Sequence, residues 1–170
     1  MRKIRFSVAM SLDGYIAGPQ GEADWIIMDP EIDFAALFSQ FDTILLGRRT
    51  FEAMAGEGRA EMPGMKTVVF SNTLRQDDYS GLTIVGTDYQ EFLSDLRRGS
   101  GKDIWLFGGG ALFASLLAAG LVDTVEVALI PILLGAGIPL LPPPATRTKL
   151  RLSNHHVYKS GVMMLTYGVA

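Results

Sequence analysis

Short apolar runs rich in β-branched residues recur along the chain: Ile4–Met10, Thr43–Leu46, Thr67–Phe70, Leu82–Val85, Ile104–Phe107 and Val125–Ile130. Several are nearly continuous instead of alternating, the pattern of strands buried on both faces. Helical signals lie between them. Asp29-Pro30 reads as an N-cap followed by proline at the first helical position, and Phe34, Leu37, Phe38 and Phe41 follow at helical spacing. Thr87 and Gln90 form a capping-box pattern ahead of an apolar face of Tyr89, Phe92, Leu93 and Leu96, which Gly99 ends. A third helix is predicted from Gly110 to Ala119, with Gly120 as its stop. Strands alternating with helices predict an α/β fold: a mainly parallel central sheet flanked by helices. The end of the chain differs. Lys149–Tyr158 and Val162–Val169, around Ser160-Gly161, predict an antiparallel hairpin.

The chain has 170 residues and shows no internal repeat or linker, so one domain over residues 1–170 is expected. Hydrophobic residues make up 48% and charged residues 19%, which excludes global disorder. The net charge of −3 argues against a nucleic-acid partner, which calls for basic excess. With no cysteine, disulfides, thiol nucleophiles and Cys-based zinc sites are excluded. The two histidines, His155 and His156, are adjacent on a predicted strand and so point to opposite faces; no metal site is expected. Two charge-free stretches, Ile104–Val122 and Val127–Thr146, are long enough to span a membrane. Gly108-Gly109-Gly110 breaks the first, and Pro131, Gly135, Gly137, Pro139 and Pro142-Pro143-Pro144 break the second, so no span is expected. The apolar stretch at the start, Phe6 to Leu12, is too short for a signal peptide. A cytoplasmic location is the expectation.

Three polar or glycine-rich segments stand at predicted strand ends. Gly108-Gly109-Gly110 leaves one strand and enters a helix. It is either a pyrophosphate cradle, with the helix N-terminus behind it, or only a tight strand-to-helix turn. It is not a Rossmann fingerprint, because the third glycine of G-x-G-x-x-G would fall at Phe113, and no Gly-Lys-Ser/Thr follows. Gly47-Arg48-Arg49-Thr50 is a second such junction, with arginines that either hold phosphate or sit in solvent. Ser71-Asn72-Thr73 is a third, a hydroxyl-bearing cluster or a turn. Open α/β sheets place ligands beyond the carboxyl ends of their strands, and all three segments lie at such ends.

On these residues the chain resembles the dihydrofolate reductase superfamily, and more closely the reductase domain of the bifunctional riboflavin biosynthesis deaminase–reductase and its freestanding relatives. The matching segments are Ser7–Ala17, Trp25, Thr43–Glu52, Thr67–Leu74, Ile104–Asp123 and Pro131–Leu141, in the family's order. The resemblance implies a dihydrofolate-reductase-like three-layer fold and an NADPH site. Arg48, Arg49 and Thr50, after Gly47, would lie along the cofactor phosphates, with Ser71 and Asn72 near the 2′-phosphate and Thr73 also among the cofactor-binding residues. Gly108, Gly109, Gly110 and Ala111 would cradle the pyrophosphate, the loop Leu12–Ala17 with Ile16 and Ala17 would border the nicotinamide, and Ala9 and Leu112 would also bind the cofactor. Asp13 and Trp25 would line the substrate pocket.

Dihydrofolate reductases carry a substrate-binding carboxylate a few residues beyond the tryptophan; the ungapped position here is Pro30. Glu31 and Asp33 are its neighbours, and with Asp13 they are the candidate catalytic acids. Each has an alternative as helix-N-terminal or turn chemistry. The implied activity is NADPH-dependent hydride transfer to a small heterocycle, with 5-amino-6-(5-phosphoribosylamino)uracil as the specific candidate. The rivals are a dihydrofolate or pterin reductase and a catalytically silent nucleotide-binding module. A small-molecule substrate and a homodimer are the expected partners.

Overall fold

The computed structural model describes residues 1–59 and 61–170. Its elements run β1 (Ile4–Ser11), β2 (Tyr15–Ala17), α1 (Phe34–Phe38), β3 (Phe41–Gly47), α2 (Arg48–Gly56), β4 (Lys66–Phe70), β5 (Leu82–Val85), α3 (Tyr89–Arg98), β6 (Asp103–Gly108), α4 (Gly110–Ala118), β7 (Thr124–Ile130), β8 (Ile138–Pro139), β9 (Leu150–Val157) and β10 (Met163–Val169). One eight-stranded sheet has the order β5–β4–β3–β6–β1–β7–β10–β9, and β2 pairs separately with β8. The strands from β5 to β7 are mutually parallel, while β10 is antiparallel to both β7 and β9. The expected mainly parallel sheet with a terminal antiparallel hairpin is therefore present.

Alternation along each strand divides the core between two layers. Ile4, Phe6, Leu45, Val68, Ile104 and Leu106 pack with Leu93 of α3 and with Phe113 and Leu116 of α4. Phe6 and Phe113 stack at 3.9 Å between ring centroids. On the opposite face Ile44, Leu46, Val69 and Trp105 pack with Phe51 and Met54 of α2 and with Phe38 of α1. This double covering explains the continuous apolar runs of β3, β4 and β6. β1 and β7 differ: Ile4, Phe6, Val125 and Val127 are buried on the α3–α4 side, whereas Arg5, Ser7, Ala9, Thr124, Glu126 and Ala128 turn to the other. Over this half of the sheet, the α1–α2 face carries small and polar residues in place of large apolar ones.

Two helix starts differ from the sequence pattern. Asp33 caps α1, its carboxylate accepting from Ala36 N at 2.8 Å. Asp29 is instead engaged by Glu31 N at 2.8 Å, ahead of the helix. Phe41 is the first residue of β3, so α1 is a short segment of five residues. The Thr87–Gln90 capping box does not form: α3 begins at Tyr89 behind Asp88, with no side-chain cap.

Leu93 is completely buried against the sheet. Leu93→Ala should lower the unfolding free energy by about 2–5 kcal/mol through lost burial and the cavity left behind. Arg98→Ala, which removes an exposed pair with Asp95, should change it by less than about 1 kcal/mol. Urea denaturation of both variants checks the contrast.

Candidate active site at the carboxyl edge of the sheet

β3 and β6 are neighbours, and each runs directly into a nine-residue helix through glycine. Gly47 is the N-cap of α2 and Gly109 the N-cap of α4, and neither helix has a side-chain cap. The two turns nearly touch. A Cβ on Gly47 would stand 3.7 Å from Gly108 O and Gly109 N, and one on Gly109 would stand 3.3 Å from Thr50 Oγ1. Two helix N-termini thus open side by side. Their free N–H groups and partial positive charges favour negative charge in the space beside them. The three glycines have separate tasks. Gly108 turns the chain at φ +137°, Gly109 faces Thr50, and Gly110 is packed beneath another segment, where a Cβ would stand 2.7 Å from Pro139 O.

Beside this junction lies a cavity of about 460 Å³ between the ends of β4 and β5 and the helices α3 and α4. Arg48, Ser71, Asn72, Thr73 and Leu112, all candidate site residues from the sequence, line it, together with Gly86, Thr87, Tyr89 and Ser115, which were not candidates for the site. Arg48 reaches across the opening, its Nη1 donating to Thr73 Oγ1 at 3.1 Å. The Ser71 hydroxyl accepts from the N–H groups of Thr73 (3.1 Å) and Leu74 (3.0 Å), which builds the turn and presents Thr73. Arg49 is exposed and outside the cavity lining, as expected for consecutive helical residues about 100° apart. A second cleft lies by Arg2 and Asp42, where the Arg2 guanidinium is committed to Asp42, Thr43 Oγ1 and Lys102 O.

On the other side of the junction, Asp13 ties two loops together. Its carboxylate accepts from Ser11 Oγ (2.6 Å), Gly135 N (2.7 Å) and Leu134 N (3.1 Å). Leu140 N donates to Gly14 O, and β2 pairs with β8. The segment Leu12–Ala17, containing Ile16 and Ala17, is therefore fastened to the Pro131–Leu141 segment, which in turn covers Gly110 of α4. The hydrogen bonds from Ser11 first, then from Gly135 and Leu134, push the Asp13 carboxyl down to about 2. It stays ionised at neutral pH and acts as a clamp.

The other acids also have partners. Asp33 caps α1, and Glu31 pairs with Lys159 Nζ at 3.1 Å. Asp29 is buried and held below the usual carboxylate range, by the Ser160 hydroxyl first and then by Glu31 N. These contacts dock the β9–β10 turn onto the segment before α1. Trp25 is half-buried, with its indole N–H donated to Glu22 O at 3.1 Å. Ala9 is half-buried on the polar face of β1.

This sheet order, with its site between two glycine-led helix N-termini, defines a dihydrofolate-reductase-like α/β fold. The chain belongs to the RibD C-terminal domain family, whose model matches residues 2–164. It is 34% identical over 178 residues to the uncharacterized protein YyaP of Bacillus subtilis, covering 98% of this chain and 94% of that one. It is 26% identical to the riboflavin biosynthesis protein RibD of Corynebacterium ammoniagenes, covering 85% of this chain and 48% of that protein. Among solved structures, a Shewanella protein named for riboflavin biosynthesis superposes with a TM-score of 0.82 at 27% identity, over 100% of this chain and 99% of that one. A dihydrofolate reductase from Enterococcus faecalis, complexed with NADP(H), superposes with a TM-score of 0.71 at 20% identity, over 98% and 96% of the two chains, and shares the fold. No helix among the described residues is long and apolar enough to cross a membrane.

The depressed Asp13 pKa sets a pH dependence. A carboxylate with a lowered folded pKa stabilises the protein above its unfolded pKa, near 4, and loses that contribution as pH falls through about 2. Asp13→Asn should be less stable than the parent protein by a constant margin from pH 7 to 5. The margin should narrow from pH 4 downward, as read by denaturation at each pH.

Proposed function

We propose that this chain is an NADPH-dependent reductase of a small heterocycle, with 5-amino-6-(5-phosphoribosylamino)uracil or a related ribosyl-pyrimidine of riboflavin biosynthesis as its substrate. One observation carries the reading: two uncapped, glycine-led helix N-termini open beside a cavity into which a single arginine reaches. That set fits a dinucleotide. Glycine at 109 leaves the backbone bare where a pyrophosphate needs close approach, since even a Cβ there would stand 3.3 Å from Thr50 Oγ1, and the cavity next to it has room for an adenosine end.

In this reading Arg48, Ser71, Asn72 and Thr73 hold the 2′-phosphate. Gly47, Thr50, Gly108 and Gly109 meet the pyrophosphate, with Ala111 and Leu112 on the first turn of α4 beside it. Arg49 adds only long-range charge. Ala9, Ile16 and Ala17 border the nicotinamide, which when bound supplies a hydride to a polarised C=N or C=O of the substrate. Asp13 keeps the loop over that end in place, and Trp25 flanks the substrate. The accompanying proton comes from water, because Asp13, Glu31 and Asp33 are already engaged. Those same engagements disfavour a pterin reductase, which calls for a free carboxylate on the α1 side. The similarity to RibD supports the pyrimidine reading.

The reading includes a homodimer. Leu150, Leu152 and Val157 are 43%, 50% and 57% exposed on edge strand β9. A register shift in the β9–β10 pairing sets Leu150 and Leu152 opposite Val169 and Tyr167, on the face that carries Val157 and Met163. An exposed apolar edge of this kind calls for a partner. Sedimentation velocity should give a dimer, and Leu152→Lys should shift it to monomer; a monomeric parent protein contradicts this part.

Arg48→Ala should weaken NADPH binding roughly ten- to hundredfold, the worth of a charge-assisted phosphate bond, with little change for NADH. Arg49→Ala should leave the preference for NADPH in place. Fluorescence titration with both cofactors checks this; equal loss of both in Arg48→Ala would move that arginine to the shared pyrophosphate, and no loss would remove it from the site.

A further inference from the structure

We infer that the cleft at the amino edge of the sheet is an anion site, on the opposite edge from the candidate active site, and that it takes a phosphoryl group: inorganic phosphate or a small phosphomonoester. The inference uses none of the residues assigned to the cofactor or the substrate and stands whether or not the chain is a reductase.

Because β1, β3, β4 and β6 are parallel, they all begin at one edge. A cleft of about 410 Å³ opens there. It is lined by Arg2 ahead of β1, Asp42 and Thr43 at the start of β3, Lys66 at the start of β4, and Ser100 between α3 and β6. Pockets for small ligands begin near about 300 Å³, so the cleft holds a phosphate with a short carbon chain attached.

Arg2 is the charge around which the cleft is built. Its side chain is 7% exposed. Nε donates to Lys102 O at 2.6 Å, and Nη2 donates to the Asp42 carboxylate and, at 2.8 Å, to Thr43 Oγ1. Those bonds fix the guanidinium plane and use two of its three nitrogens. Nη1 has no protein partner among the described residues, and no sealed-off side-chain nitrogen or oxygen among them lacks one. Nη1 is therefore reached from solvent, through the cleft that Arg2 lines, with two N–H groups to give. Gly101 makes room for this arrangement: a Cβ there would overlap Asp42 Oδ2 and stand 3.2 Å from Arg2 Cζ.

The charge balance of the lining favours an anion. Asp42 is its carboxylate, and it already holds three donors: Oδ1 accepts from Arg2 Nη2 and from Thr43 Oγ1, and Oδ2 accepts from Lys102 N at 2.8 Å. Lys66 and Ser100 are exposed, and neither side chain has a protein partner among the described residues. What remains for a ligand is a half-used guanidinium, an ammonium and a hydroxyl. A phosphoryl group, with several acceptor oxygens and up to two negative charges, complements that set; a cation does not.

The test is calorimetric titration with inorganic phosphate and with glycerol phosphate, at an ionic strength held constant with sodium chloride. The parent protein should bind phosphate saturably. Lys66→Glu, a change at an exposed position, should fold normally and weaken that binding about tenfold or more, with NADPH affinity retained. Arg2→Lys, which keeps a cation for Asp42 but has no second nitrogen for the cleft, should lose as much; if it does not fold, Lys66→Glu decides. Arg48→Ala should leave phosphate affinity unchanged. Tighter binding of glycerol phosphate than of phosphate identifies a phosphomonoester as the occupant, and the reverse identifies the free ion. No saturable phosphate binding, unchanged affinity in Lys66→Glu, or a loss confined to Arg48→Ala would overturn the site. Failure of the parent protein to bind NADPH would sink the reductase reading and leave this site standing.

Discussion

The contact between the β3–α2 and β6–α4 turns is the constraint on which the site depends. Gly47 and Gly109 are close enough that an added side chain at Gly109 would press on Thr50 Oγ1 at 3.3 Å. That proximity follows from the pairing of β3 with β6, in which Leu46 lies opposite Gly108. Two helices then start at the same level and offer their first N–H groups to the same space. Each helix N-terminus favours negative charge beside it, and Arg48 stands next to the pair, which is the physical basis of the proposed pyrophosphate site. The Pro131–Leu141 segment completes the arrangement, since it covers Gly110 and is held by Asp13.

A second property of the sheet sets what lies next to that junction. α1 and α2 cover only the β4–β3–β6 part of their face, where the strands are apolar on both sides. At β1 and β7 the same face carries small and polar residues, with the Arg5–Glu126 pair at its centre. Burial leaves little water around Arg5 and by itself would lower its pKa, but the hydrogen bonds and charges of Glu126 and Asp103 outweigh that and hold the guanidinium above its ordinary value.

Much of this was legible in the sequence where local chemistry and topology agree. The strand runs matched β1, β3, β4, β5, β6 and β7 within a few residues, because β-branched apolar runs have few other stable uses. The three polar strand ends were placed together by the rule for open α/β sheets, and Arg48 and Arg49 separated as helical geometry requires. What failed were local cap signals that tertiary contacts overrode. Asp29 is recruited by the β9–β10 turn, so Asp33 starts the helix, and Thr87 lines the cavity instead of capping α3. The strand-end rule, applied to β5, would have added Gly86 and Thr87 to the site. The clamp role of Asp13 was not legible, because its partners Leu134 and Gly135 are remote in sequence and donate through backbone atoms.

The most direct test of the central claim is a crystal structure of the protein grown with NADPH. The account predicts the pyrophosphate between the first turns of α2 and α4, against Gly47, Thr50 and Gly109, with the 2′-phosphate on Arg48 and Thr73. NADPH bound elsewhere, or a folded protein that does not take it up at saturating concentration, would contradict it.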